Sequence, residues 1–596
     1  MKLVPLIIFS LLLLTMEPNT GKSQSPVKIF YTVTFPEAQA HYADVEMDIS
    51  GLHQKTLDLK MPVWTPGSYL VREFSKNVES FTAEAGGKTI YAKKIRKNIW
   101  RINSEKLSAV KVKYRVYAFE LSVRTSLVDA SHAFLSCTGI FVYPDGMLHH
   151  PSTVHIIPYK GWTRVSTSLE MVNHDPFTRY APDYDILFDS PIEVGNQDVF
   201  GFDVDGVKYE VAMVGGGNYD KERLTKDMPL IIRHEAAIYG ENPNKHYVFI
   251  VHNTSRGGGG LEHLSSCVLG ASRDNYEKNY QNFLALVAHE HFHLWNVKRL
   301  RPIALGPFDY DNENYTTDLW IAEGFTAYYQ DVIVNRTKLY PVDNYLGVLA
   351  ALISSLENTP GAKIDPVSQA SYDAWIKLYR PNENTNNSTI SYYTKGAVLA
   401  MLLDLEIMND SHCRYSLDDA MNYMYNTYYK IKKRGYTDEE FKQGLEKFAG
   451  KNLDDFYKKY VNGVDAVDYD KYLGYAGYQL TDEFAGHNDP ALGIATNTGN
   501  GKIIVSGVFR GSAAWIDGIN VGDEIVSVDS VKVTDVNTML NGKKPGDKIN
   551  ISVLRDGLPL TLPVTLLKKT QVKYRMESVP NPNGEQLAVR KKWLSM

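Results

Sequence analysis

Residues Val287–Arg299 read VAHEHFHLWNVKR, with three histidines in five residues: His289, His291 and His293. Phe283, Leu286, Val287 and Glu290 follow i, i+3, i+4, i+7 spacing, so the segment 275–296 is predicted to be an amphipathic helix. On a helix, positions i and i+4 differ by about 40° in azimuth, and i+2 lies about 160° away. His289 and His293 therefore share a face and can chelate one ion, while His291 points elsewhere and is expected to pack or to support the site. Glu290 sits beside the chelating face, where it can take a proton from water. The pattern is H-E-x-x-H: two zinc ligands with a glutamate as general base.

A catalytic zinc takes three protein ligands and keeps one open position. The next strongly helical segment, LWIAEGFTAYYQ, offers Glu323 after a stretch rich in Pro, Gly, Asn and Asp. A carboxylate in an otherwise apolar and aromatic helix is costly to bury alone, and a metal would remove that cost. Pairing of Glu323 with a Lys or Arg would remove it equally well, and the pattern alone leaves both open.

Outward from this segment, 596 residues are too many for one core, and two to four domains are expected. Apolar residues make up 44% and aromatic residues 12%, as in well-packed globular proteins. The net charge of −5 shows no basic block, which argues against nucleic-acid binding. Residues 1–24 carry one Lys, then an apolar run from Leu3 to Leu14, then small and polar residues. This reads as a signal peptide, with export to the periplasm or the exterior. The run is too short to span a bilayer comfortably, so the mature chain is expected to lack a transmembrane anchor; an uncleaved N-terminal anchor is the alternative. Cys137, Cys267 and Cys413 are too sparse for a disulfide framework and are read as buried free thiols.

The overall pattern is a multidomain α/β chain. Residues 25–190 alternate as strands (KIFYTVTF, HYADVEMDI) and predict an antiparallel β-domain. A further β segment with KYEVAMV and HYVFIVH runs to about residue 255 and leads into the Gly257–Gly260 run. Helices then dominate, so 191–475 are expected to form a mainly α catalytic domain with a helical lobe. Among them, Thr437–Gly450 has an acidic first turn and a glycine stop. Residues 480–568 return to short Gly-punctuated strands, and 569–596 read as a short, basic, mobile tail.

VAHEHFHLWNVKRLRP followed by WIAEGFTAYY resembles the glycyl aminopeptidase family of zinc metallopeptidases, within the wider gluzincin group. MPVWTPGSYLVREF (Met61–Phe74) is similar to that family's N-terminal β-domain signature. GGGGLEH (Gly257–His263) resembles the gluzincin aminopeptidase strand motif, and YYTKGAVL (Tyr392–Leu399) its Tyr-x-Lys-Gly segment. The resemblance implies a thermolysin-like catalytic domain with one Zn²⁺ held by His289, His293 and Glu323, and Glu290 activating water. It also implies that Tyr393 donates to the oxyanion, although the neighbouring Tyr392 leaves the register ambiguous. Glu262 would bind the α-ammonium group of a peptide with a free N-terminus, and Gly259 and Gly260 would let the substrate backbone approach. Small first residues, Gly and Ala, are the implied preference. The chain departs from the wider group at Ala322, where Asn is common. It departs again at Ala327, where some relatives carry an Asp that orients a ligand histidine, so another group must do this.

The C-terminal unit resembles a PDZ domain, with Ala491–Ile494 as its carboxylate-binding loop and VGDEIVSVDSVKV as the more specific match. Its groove could bind a peptide ligand or pack on the catalytic domain. Two rivals to an aminopeptidase are a zinc endopeptidase with PDZ-recruited protein substrates and a non-catalytic peptide-binding protein.

Overall fold

A computed structural model describes residues 26–535 and 538–596; the predicted signal peptide lies outside the described residues. In the N-terminal domain, strands Lys28–Thr34, Tyr42–Ser50 and Ala109–Tyr117 bury alternate residues, as the sequence alternation requires. They lie in an eight-stranded sheet beside a five-stranded and a four-stranded one. The expected antiparallel order holds for these pairings except between Lys28–Thr34 and Ser152–Ile157, which run parallel. The strand Ile192–Gly195 pairs within this domain, which carries it past the expected boundary at residue 190.

The next sheet holds Val207–Val214, His246–Thr254 and Ser266–Ser272 in parallel, with Gly260–Glu262 as an antiparallel edge. The sequence reading of 191–255 as strands missed the crossover that this parallel pairing demands, helix α1 (Lys221–Tyr239). Pro229 inside α1 breaks the helical signal, although the ends are well marked by the Asp220 cap and by Gly240 in the left-handed conformation. His246–Thr254 is buried along nearly its whole length, the mark of a strand covered on both faces. One cover comes from the N-terminal domain, whose Val123 and Phe134 cluster with Val248, Ile250, Leu261 and Val268.

Helices α2 (Tyr276–Phe292), α3 (Gly324–Arg336) and α4 (Tyr392–Asp410) build the core around the three-histidine segment. Thr437 and Glu440 form a reciprocal capping box and Gly450 ends that helix, as the sequence indicates.

Residues 569–596 are not a mobile tail. Tyr574–Ser578 pairs with Tyr478–Asp482, and α5 (Gly584–Trp593) closes on the helical lobe. Trp593 is buried there and donates to the Tyr328 hydroxyl at 3.0 Å; Asn335 and Lys338 donate to the Leu594 carbonyl. The basic residues misled because they lie on the outside of a helix whose apolar anchors are few but large. The PDZ-like β unit is thus inserted between two paired strands of the catalytic part. Asn387 ties it to the lobe, donating to the Val508 carbonyl at 2.7 Å and accepting from the Arg510 amide at 2.8 Å. A cavity of about 620 Å³ separates Ala491–Ile494 from Pro360, Lys363 and Ile364. No helix among the described residues is long and apolar enough to cross a membrane, and the three cysteines are free.

Candidate active site

The last turns of α2 are buried, and they bring His289 and His293 to one face as the i, i+4 spacing requires. Glu323 sits where the one-turn helix Leu319–Ala322 meets α3, and its Oε2 lies 3.6 Å from His289 Nε2 and 3.3 Å from His293 Nε2. Ligand atoms ~2.0–2.1 Å from a tetrahedral zinc stand roughly 3.3 Å apart, so the three donors fit such an ion. Each histidine keeps Nε2 free for it. His289 Nδ1–H donates to Gln330 Oε1 at 2.8 Å, and His293 Nδ1–H donates to the Asn296 carbonyl at 2.6 Å. Gln330, two turns beyond Glu323, supplies the orienting group that Ala327 cannot. Burial alone would push the Glu323 carboxyl up, but His293 and His289 outweigh it and hold the group at about 2.

His291 points away, as the helix geometry requires. It is fully buried, donates from Nδ1 to Glu235 of α1, and accepts at Nε2 from the Tyr209 hydroxyl at 3.1 Å. Asn242 in turn donates to Tyr209 at 2.6 Å. Burial depresses His291 to about 3, so the ring is a neutral pin between α2 and α1.

Glu290 is buried against Gly260. A Cβ at 260 would stand 2.0 Å from Glu290 Oε1, so this glycine makes room for the glutamate. Burial lifts the Glu290 carboxyl to about 8, with His289 opposing and Glu262 and Glu323 adding. Gly259, by contrast, is exposed and has φ +79°.

Glu262 is 3% exposed, and its Oε1 has no partner among the described residues. Its carboxylate oxygen falls within 4.8 Å of donor atoms of Glu290 and His293. Gly67, from the MPVWTPGSYLVREF stretch, presses against it. A Cβ there would lie 2.5 Å from Glu262 Oε1, and φ is +86°, so only glycine fits. The Gly67 carbonyl accepts from Tyr379 at 3.2 Å, which joins the N-terminal domain to the wall of the site.

The two adjacent tyrosines differ in their surroundings. Tyr392 is fully buried, whereas Tyr393 is partly exposed with its ring 6.2 Å from that of His289. Two glycines set this distance: a Cβ on Gly324 would meet Gly396 Cα at 2.5 Å, and one on Gly396 would meet the Trp320 carbonyl at 2.4 Å. The helix carrying Tyr393 therefore crosses the helix following Glu323 backbone to backbone.

Sequence reasoning missed Gln330, Gly67, Tyr379 and Arg124. Gly67 was inside a quoted motif. Arg124 had no signal at all: it lies at the tip of the hairpin joining Phe119–Ser122 and Thr125–Val128, and its Nη2 donates to the Gly260 carbonyl at 3.1 Å.

Residues 30–196 match the Peptidase M61 N-terminal domain, residues 282–399 the M61 glycyl aminopeptidase, and residues 490–566 a PDZ domain. An aminopeptidase N family protein from Idiomarina loihiensis has a similar solved structure, with a TM-score of 0.89 and 28% identity. The similarity covers 95% of this chain and 100% of that one. An M1 zinc metallopeptidase from Deinococcus radiodurans, 13% identical, aligns over 74% of this chain and 93% of its own with a TM-score of 0.47. No curated protein matches the chain.

Proposed function

This chain is a zinc metallopeptidase carrying both M61 domains and a PDZ domain, and from that premise we propose that it is an aminopeptidase removing small residues, Gly and Ala, from free N-termini. The observation that carries the reading is Glu262, a buried carboxylate with an unpartnered oxygen beside Glu290 and His293. A carboxylate kept in that state attracts a cation, and a peptide α-ammonium group bound there would bring the first peptide bond toward Glu290, whose carboxylate lies within 4.8 Å. The Gly preference is supported by the description of the matching M61 glycyl aminopeptidase, and Ala is included as the next smallest side chain.

His289, His293 and Glu323 would hold one Zn²⁺, which when bound acidifies water and polarises a carbonyl. In its ionised form Glu290 accepts the proton from the attacking water and returns it to the leaving amine. The Tyr393 hydroxyl donates to the developing oxyanion, a contact worth roughly 10²–10³ in rate. Gly67 keeps the Glu262 carboxylate from shifting by leaving it no slack. Export rests on the signal-peptide pattern of residues 1–24.

The test compares Gly-, Ala- and Leu-p-nitroanilide with an N-acetylated Gly analogue, alongside Glu262→Gln. Release from free Gly and Ala, little from Leu, none from the blocked substrate and a loss of 10²-fold or more in the variant is expected. Equal cleavage of the blocked substrate would indicate an endopeptidase instead.

A further inference from the structure

Arg124 reaches the site from the N-terminal domain and ends beside the Gly257–Gly260 run. Its backbone is braced in a tight turn: the Arg124 amide donates to Ser122 Oγ at 3.1 Å, and the Ser122 and Thr125 hydroxyls lie 2.6 Å apart. A guanidinium carries five N–H donors in a fixed fork. Here one is used, from Nη2 to the Gly260 carbonyl. Nε is buried without a partner, and no carboxylate lies within ion-pair distance of the group among the described residues. Arg124 is half-buried, so the unpaired Nε carries a burial cost that a ligand would relieve, while the remaining donors of the fork stay open to one.

The position along the strand says what the fork faces. Glu262, Gly260 and the carboxylate of Glu290 lie in succession, and Arg124 follows on the side of Gly259, whose Cβ position is 3.5 Å from Nη1. With the substrate ammonium at Glu262 and the scissile bond at Glu290, the guanidinium stands on the leaving-group side. From Glu262 to Gly260 the strand spans two residue steps, ~7 Å, and the Arg124 side chain meets its far end at the Gly260 carbonyl and beside Gly259, so the two charged groups bracket a peptide of only a few residues. Glu290 and Glu262 are close enough to attract the arginine, but both have other work.

We propose that Arg124 forms a carboxylate subsite on the leaving-group side, so that the enzyme favours very short peptides held at both ends, by Glu262 at the amino end and Arg124 at the carboxyl end. An acidic side chain at the same position of a longer peptide offers the same chemistry. This rests on the aminopeptidase reading, and the two can fail separately.

The zinc-loaded full chain is assayed on Gly-Gly-Gly and Gly-Gly-Gly-amide, and on a hexapeptide amide beginning Gly-Asp-Asp compared with Gly-Asn-Asn. Each pair is repeated in Arg124→Gln and Arg124→Lys. We expect the free acid to exceed the amide by roughly 10- to 100-fold in kcat/KM, mostly through KM. The ratio should fall to near one in Arg124→Gln and stay intermediate in Arg124→Lys, which keeps the charge without the fork. Because the ratio is internal to each protein, a general loss of activity does not blur it. Calorimetric binding of the same acid and amide to zinc-loaded Glu290→Gln reads the preference without turnover. An Arg124-dependent difference in the Asp/Asn pair alone assigns the subsite to acidic side chains. No Arg124-dependent difference in either pair overturns the proposal. Cleavage of N-acetyl-Gly-Gly-Gly at the rate of the free peptide sinks the aminopeptidase reading and leaves the acid-to-amide ratio readable.

Discussion

At the scale of single residues, the site is defined by what each polar atom is left to do. His289 and His293, the two candidate ligand histidines, each have Nδ1 tied, and the tie on His289 is the Gln330 carbonyl oxygen at 2.8 Å. Replacing Gln330 with Ala frees the ring to rotate and to change tautomer. Zinc affinity should fall roughly 10- to 100-fold, read by competition with a chromophoric chelator, while the fold measured by circular dichroism is retained. Retained affinity would mean that packing alone orients His289. His291 shows the opposite case. Both its nitrogens are engaged in a dry pocket, which makes it a support of α2 despite standing between His289 and His293 in sequence.

At the scale of elements, the decisive contact is the crossing of α3 and α4. Gly324 and Gly396 leave no room for a methyl group between the two backbones. Gly396→Ala should force the helices apart and carry Tyr393 away from Glu323. The expected result is a kcat loss of 10²-fold or more together with a fall of several degrees in Tm. Gly347 provides the contrast: it lies exposed inside the helix Val342–Glu357 with nothing within 4 Å of its Cβ position. Gly347→Ala should raise stability by about 0.5–1 kcal/mol by helix propensity and leave kcat unchanged. Equal effects at the two sites in thermal unfolding and in turnover would show that the crossing is not what places Tyr393.

At the scale of the molecule, the N-terminal domain is part of the site, since Gly67 and Arg124 both come from it. Asp189 is one of the bolts. It accepts from Lys298 at 2.7 Å, from His263 Nδ1 at 3.0 Å and from the Leu264 amide at 2.7 Å, directly after Glu262. Burial would push this carboxyl up, but the Lys298 ammonium and His263 outweigh it and hold it at about 2, below the usual carboxylate range. A depressed folded value means stability that is complete above about pH 4 and lost as pH falls through 2, worth roughly 2 kcal/mol. In urea unfolding at pH 5, 4, 3 and 2, the gap between the native chain and Asp189→Asn should therefore shrink as pH falls. A gap that stays constant would show that the charge of Asp189 contributes nothing to the interface.

The shared face of His289 and His293, with Glu290 beside it, was legible because its information is local: the three residues lie within little more than one helical turn, where geometry follows from sequence spacing. The three-part organisation was legible for a similar reason, since strand alternation and helical periodicity are short-range signals. Other features depended on chain segments far apart in sequence. Helix α1 was hidden by Pro229, and only the parallel pairing of its flanking strands required it. The C-terminal residues looked like a solvated tail because their charges are local while the slots that receive Trp593 and Leu594 are not. Gln330 as the support of His289, Tyr393 rather than Tyr392 with its ring near His289, and Gly67 and Arg124 as neighbours of Glu262 and Gly260 are matters of which surfaces meet. The amino-acid sequence by itself thus determined the clustering of His289, Glu290 and His293 on one helix and the order of domains. Only the tertiary structure decided that one oxygen of the Glu262 carboxylate and the Nε of Arg124 were left unpaired, because an unmet hydrogen-bonding group exists only once packing has excluded water from it.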